Sequence, residues 1–224
     1  MAGLYEGAGD FSPAEVEYRA AIERDSSNSS VFLDLAEFYA ARKRFDDAVR
    51  VLDEAAKRTE DKDDFFANLI SRFWLSDQTD VPEGLAASQP QRMAQSKQAN
   101  LYLARIRIDH DHAAEALPLL KKAAALDRTL SDPYDVMAEA YRKLHQWGAA
   151  LTAADTAIRL SNDDSEAHFE RACALARLGR RIEAIAALKR AIELNAELAD
   201  SLEDEDDLKP LVTLPEFKKL LPKT

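Results

Sequence analysis

The chain has 224 residues, with 30 Lys and Arg against 41 Asp and Glu, a formal charge of −11, and a single cysteine. Its 6 glycines, 8 prolines and 40 alanines suit helices and argue against a β-sandwich or barrel, which needs turn residues every few positions. The acidic balance argues against nucleic-acid binding. Cys173 alone excludes an internal disulfide framework and an all-Cys zinc site, and no apolar run reaches the roughly 18 residues of a membrane-spanning helix.

The first ten residues have neither a basic n-region nor an apolar h-region and do not read as a secretory signal. Ala14, Ala48, Ala116, Ala150 and Ala184 are separated by multiples of 34 residues, and so are Ala21, Ala55, Ala123, Ala157 and Ala191. Ala2, Ala36, Ala104, Ala138 and Ala172 form a third set. Fifteen of 18 register positions are therefore alanine, and the exceptions Ile70, Pro82 and Gln89 all fall in residues 63–96. A fixed period of this size marks an array of supersecondary units, here two antiparallel helices per repeat, A then B. A methyl group at each crossing lets two backbones approach, and a larger side chain there costs about 1–3 kcal/mol. Larger apolar residues keep the same register and are expected in the core: Leu35, Leu69, Leu103 and Met137; Tyr5, Tyr39, Phe73 and Tyr141; Phe11, Phe45 and Trp147.

The register divides the chain into a partial repeat 1–28, repeats 29–62, 63–96, 97–130, 131–164 and 165–198, and a closing segment 199–224. The first eight residues are assigned to the second half of an A helix, so the expectation is either a piece of a longer array or a chain that opens with a frayed helix. A B helix is expected from Ser12-Pro13, an N-cap followed by an N1 proline, to Arg24. Ser26 to Ser30 supplies a turn and a cap for the next helix. Repeat 63–96 is degenerate. Its A helix, Asp63 to about Leu75, is amphipathic through Phe66, Leu69, Ile70 and Phe73. Its B half is interrupted by Pro82, Gly84 and Pro90, leaving a short helix around 83–88 or a loop. Pro118 and Pro133 are assigned to first helical turns, where a missing N–H costs little. Residues 199–224 read as one or two short capping helices, 215–221 the clearest, that cover the apolar edge of the last repeat. The acidic run Glu203 to Asp207 reads as a solvated face.

Residues 131–164 (Pro133, Tyr134, Met137, Ala138, Tyr141, Trp147, Ala150, Ala157) and 165–198 (Ala172, Leu175, Gly179, Ala184, Leu188, Ala191, Asn195) resemble the tetratricopeptide-repeat family, in its bacterial type with a C-terminal capping segment. The resemblance implies an all-α fold, a right-handed α-solenoid superhelix of antiparallel helix pairs. It also implies a concave groove, lined by A helices, that binds a peptide or protein segment. Carried over residue by residue, the groove would present Trp74 from repeat 63–96 and Leu101, Tyr102, Arg105 and Ile108 from repeat 97–130. Asp135, Glu139 and Arg142 follow from 131–164, then Phe169, Cys173 and Arg177 from 165–198. Aromatic residues beside arginine are typical of binding hot spots. The family's Lys/Asn clamp for C-terminal carboxylates is replaced by Leu33, Glu37, Leu101, Arg105, Val136, Glu166 and Glu170, so binding of Hsp70/Hsp90 tails is not expected.

No catalytic constellation stands out. Gly7-Ala8-Gly9 follows no strand and lacks the lysine of a phosphate loop. His110, His112 and His145 fall in A–B turns, where they read as turn residues rather than metal ligands. Cys173 reads as a buried, inert thiol. The expectation is a non-enzymatic interaction scaffold without cofactor or metal, with a protein or peptide partner and neither nucleic-acid binding nor membrane insertion. Two alternatives are a regulatory or substrate-recruiting arm of a larger multidomain enzyme and a self-associating assembly module. The absence of disulfides suits the cytoplasm and is compatible with a periplasm. By segment, the charge is −5 in 1–62, −1 in 63–130, −2 in 131–198 and −3 in 199–224, which leaves the middle of the chain nearly neutral and its groove cations available.

Overall fold

A computed structural model describes residues 11–59, 64–74, 76 and 78–222. The expectations for Ala2, Tyr5, Gly7 to Gly9, Asp63, Leu75 and the Phe11 side chain fall outside what is described. Every regular element among the described residues is helical. In chain order these are α1 (Phe11–Arg24), α2 (Ser29–Ala40), α3 (Phe45–Arg58), α4 (Phe65–Arg72), α5 (Asp80–Ser88), α6 (Pro90–Gln95), α7 (Lys97–Asp109), α8 (Ala113–Leu126), α9 (Asp132–Lys143), α10 (Trp147–Leu160), α11 (Ser165–Arg177) and α12 (Arg181–Leu194). Two 3-10 helices, Ala196–Ser201 and Asp206–Leu211, and a short α13 (Pro215–Lys218) close the chain. The protein has an all-α helical-repeat fold of two compact units, residues 1–106 and 107–224.

Side-chain caps and one recurrent turn mark the ends of most A helices. Asn28, Asp64 and Asp164 accept hydrogen bonds from the backbone N–H groups of Ser30, Ala67 and Ala167, and Ser96 Oγ accepts from Ala99 N at 2.8 Å. Each thereby satisfies a donor that a helix start leaves unpaired. At the other end one turn recurs. The N–H groups of Arg44, His112, Gln146 and Arg180 donate to the carbonyls of Tyr39, Arg107, Tyr141 and Leu175. The residue before each donor has positive φ: Lys43 59°, Asp111 64°, His145 57° and Gly179 76°. This is the Schellman arrangement, and the histidines sit in or beside it as turn residues.

The alanines pack as the register requires. Thirteen of the 14 described ones have no exposed surface, and Ala21 is half-buried. Leu35, Leu69, Leu103, Met137, Tyr39 and Phe73 are buried, whereas Phe45, Tyr141 and Trp147 are half-buried.

Several boundaries differ from expectation. Ser12 lies inside α1 rather than capping it. The degenerate repeat forms α4, which ends at Arg72, then α5, which contains the helix expected around 83–88 and starts earlier at Asp80, and a second short helix, α6. Pro82 and Pro90 lie in the first turns of α5 and α6, where no intrahelical acceptor awaits their missing N–H. They sit at helix starts instead of breaking a helix. Gly84 has its own reason: a Cβ there would lie 2.5 Å from Phe45 Cζ, so α5 can approach that ring only without a side chain. Asn100, fully buried on α7, donates from Nδ2 to the carbonyls of Met93 and Ser96 and ties α6 to α7. Pro118 is the sixth residue of α8, not part of its first turn. The unmatched carbonyl, that of Ala114, belongs to an exposed residue that water reaches. The clearest capping helix shrinks from 215–221 to Pro215–Lys218. Leu202, Leu208, Leu211 and Phe217 nevertheless close the last core against Leu175, Ala184 and Leu188.

Candidate functional site

In the first unit, α4 ends two residues before Trp74, and α7 carries Leu101, Tyr102 and Arg105 one to two turns from its start. The Trp74 and Tyr102 rings are 6.4 Å apart, and the Arg105 guanidinium lies over the Trp74 ring at 5.5 Å. All three side chains are half-buried, so each offers both packing and an accessible edge. Leu101, on the same helix, is buried. This cluster combines large apolar area with a cation held on an aromatic face. On α2, Asp34 and Glu37 are held by Arg72 at 2.8 and 2.6 Å.

The second unit treats its A-helix face differently. Arg142 on α9 donates from Nε to Glu170 (2.9 Å) and from Nη1 to Asp207 (2.8 Å) and Glu205 (3.1 Å). Arg177 lies 3.7 Å from Asp207, and its guanidinium covers the Trp147 ring at 4.7 Å. Glu205 and Asp207 lie at the start of the second 3-10 helix, so the C-terminal segment is seated on α9 and α11 by charge. Burial pushes the Glu170 carboxyl up to about 7, against the opposing charge of Arg142. For Arg142, burial works against the charged form, but the Glu170 charge and the Asp207 hydrogen bond outweigh it and raise its pKa. Burial and then the Glu170 charge push the Cys173 thiol well above its ordinary range.

The remaining sequence-derived positions divide by burial. Ile108 and Cys173 are almost wholly enclosed and Phe169 keeps 8 % exposure, so they pack between helices. Asp135 and Glu139 are half-buried on α9. Arg142, expected to be available to a partner, is instead engaged by three carboxylates of its own chain. The acidic run is not uniformly solvated either. Glu203, Asp204 and Asp206 are exposed, but Glu205 is half-buried and Asp207 is buried. Sequence reading missed Glu205 and Asp207. Their one signal was alternation with exposed acids just before the buried Leu208.

Among the described residues, no three His, Cys, Asp or Glu side chains are arranged to hold a metal ion. No helix among them is long and apolar enough to cross a membrane.

Two family models described as tetratricopeptide repeat match the chain, one over residues 6–72 and one over 165–198. No curated protein sequence matches it. Among solved structures the chain is similar to YrrB, a TPR protein with an unusual peptide-binding site, at 13% identity and a TM-score of 0.55 over 80% of this chain and 93% of that one. It is also similar to a MamA protein (19% identity, TM-score 0.52, 76% and 93% covered). A third likeness is to a chain of the APC/C hetero-tetramer Cut9–Hcn1 (16% identity, TM-score 0.58, 97% and 41% covered). At these identities the likenesses concern the fold. The matched repeats, the alanine register buried at the helix crossings and the recurrent A–B turn converge: the chain is a tetratricopeptide-repeat protein.

Proposed function

We propose that the protein is a non-enzymatic interaction scaffold that takes a peptide segment of a partner on the A-helix face of its first unit. The observation that carries this reading is the half-buried cluster of Trp74, Tyr102 and Arg105. Aromatic and arginine side chains of this kind give the most binding energy per residue, because they pair large apolar area with a directional polar group. The peptide-binding site of YrrB, which shares the fold, agrees with this reading. The expected ligand is an extended or helical segment with an apolar anchor for the two rings and an acidic residue for Arg105.

The test is selection from a random peptide library displayed on phage, followed by affinity measurement on variants. Selected peptides are expected to lose about tenfold or more in affinity on Tyr102→Ala or Arg105→Ala, the usual cost at a hot spot. Peptides that bind both variants as tightly as the parent would remove the A-helix face from consideration.

A further inference from the structure

We propose a second binding surface, separate from the A-helix face: a crevice formed by α8, α9 and α10 that takes an acidic peptide segment of a partner protein. The crevice encloses about 410 Å³ and is rimmed by Lys121, Arg128 and Arg159, with no acidic residue in its lining. Its floor is apolar, built from Met137, Leu160 and the Tyr134 ring.

Three exposed cations around one cavity are unexpected in a chain of net charge −11. Among the described residues, none of the three has an ion pair, hydrogen bond or ring contact. Three carboxylates of the flanking segments have partners of their own. Asp127 accepts from the Thr129 N–H and hydroxyl, Asp155 from Arg171, and Asp163 from the Ser161 hydroxyl.

The repeat register shows what this crevice lacks. Three repeats earlier, the positions of Lys121 and Thr156 are Arg19 and Glu54, which pair at 2.8 Å. The positions of Ala125 and Leu160 are Glu23 and Arg58, which pair at 3.0 Å. One repeat later, the positions of Lys121 and Met137 are Asp155 and Arg171, which pair at 2.6 Å. Those of Thr156 and Arg159 are Arg190 and Glu193, paired at 3.3 Å. At both sets of equivalent positions the cations are therefore paired with carboxylates of the same chain. In this crevice every register position that supplies a carboxylate elsewhere is Lys, Thr, Ala or Arg.

The missing carboxylates define the ligand. The cations sit on three different segments, two on helices and Arg128 in a loop, so they suit several dispersed monoanions better than one compact anion. The apolar floor suits a hydrophobic side chain between those anions. Asp132 and Asp135, in the first turn of α9, oppose a phosphate dianion at that helix start. A segment alternating Asp or Glu with Leu has the required chemistry.

The experiment is a fluorescence-anisotropy titration of the full chain with a labelled Asp-Glu-Leu-Asp-Glu-Leu peptide at low salt. Saturable binding is expected, weakened by added salt as exposed charges are screened. Lys121→Ala, Arg128→Ala and Arg159→Ala together are expected to weaken it about tenfold, the sum of three exposed ion pairs. Thr156→Glu restores the carboxylate that stands at the equivalent position three repeats earlier and is expected to weaken binding about threefold or more without truncating any side chain. Trp74→Ala and Tyr102→Ala are expected to leave it unchanged, which separates this surface from the one proposed above. Absence of saturable binding, or equal affinity in the triple variant and in Thr156→Glu, overturns the proposal. So does competition by inorganic phosphate or by an oligo-dT strand at concentrations as low as those at which the unlabelled peptide competes, since the site would then be a general anion site.

Discussion

Arg142 Nη1 and Asp207 Oδ2, 65 residues apart in sequence, meet at 2.8 Å with both side chains largely buried. The contact joins α9 to the segment that follows the last repeat. Three carboxylates share the one guanidinium, which makes Arg142 the centre of the C-terminal cap.

Replacing Arg142 by Ala would strand Glu170 and Asp207 in a low-dielectric site. Breaking a buried pair by removing one partner costs about 3–5 kcal/mol. The expected result in urea denaturation is a loss of about that size, accompanied by faster proteolysis within residues 199–224 of the native protein. Unchanged cleavage in that segment would contradict the role given to Arg142.

Glu170 gives the cap a pH dependence. Its carboxyl is raised to about 7 in the folded chain from an ordinary value of 4.5, so the native state holds this proton more tightly than the unfolded state does. The resulting stabilisation is complete below the unfolded value and is lost as pH rises through about 7. Burial raises this carboxyl's pKa most, Arg142 from α9 opposes the rise, and the charges of Glu139 from α9 and Glu205 from the cap add to it. Stability is expected to fall between about pH 5 and pH 8, by an amount on the order of 2 kcal/mol. Glu170→Gln should flatten this part of the profile while Arg142 keeps Glu205 and Asp207. A wild-type slope retained in the variant would place the titrating group elsewhere.

The recurrent turn predicts opposite effects at two equivalent positions. Gly179 has φ of 76° with open space around its missing Cβ, so Gly179→Ala is expected to cost about 1 kcal/mol from backbone conformation alone. Asp111 holds the same conformation with a Cβ, and Asp111→Gly is expected to stabilise by up to about 1 kcal/mol, less the added entropy of the unfolded chain. Thermal denaturation of both variants checks the pair of signs.

Gly84 and Phe45 make a direct packing test. Gly84→Ala is favoured by helix propensity but drives a methyl group into the Phe45 ring, for an expected net loss of about 1 kcal/mol. In a Phe45→Ala background the same substitution is expected to become stabilising. A double-mutant cycle with no coupling between the two positions would refute the close approach.

The amino-acid sequence by itself determined the repeat. Its alanines at 34-residue spacing are the buried crossings, and Asn28, inside the expected capping stretch, is a cap. These features are legible because they are local: a cap acts within three residues, and a buried methyl repeats with the helix pair that needs it. Trp74, Tyr102 and Arg105 were named through the family resemblance, and their mutual contact is what the structure adds. The tertiary structure decided what the register does not encode. Pro82 and Pro90 look like breakers until they fall in the first turns of two short helices. Arg142 looks available until Glu205 and Asp207 arrive from beyond the last repeat. The cations around α8 to α10 look like ordinary surface charge until the register positions that pair them in other repeats prove to hold no carboxylate. Charge pairing acts across space between residues far apart in the chain, and only packed helices show which pairs form.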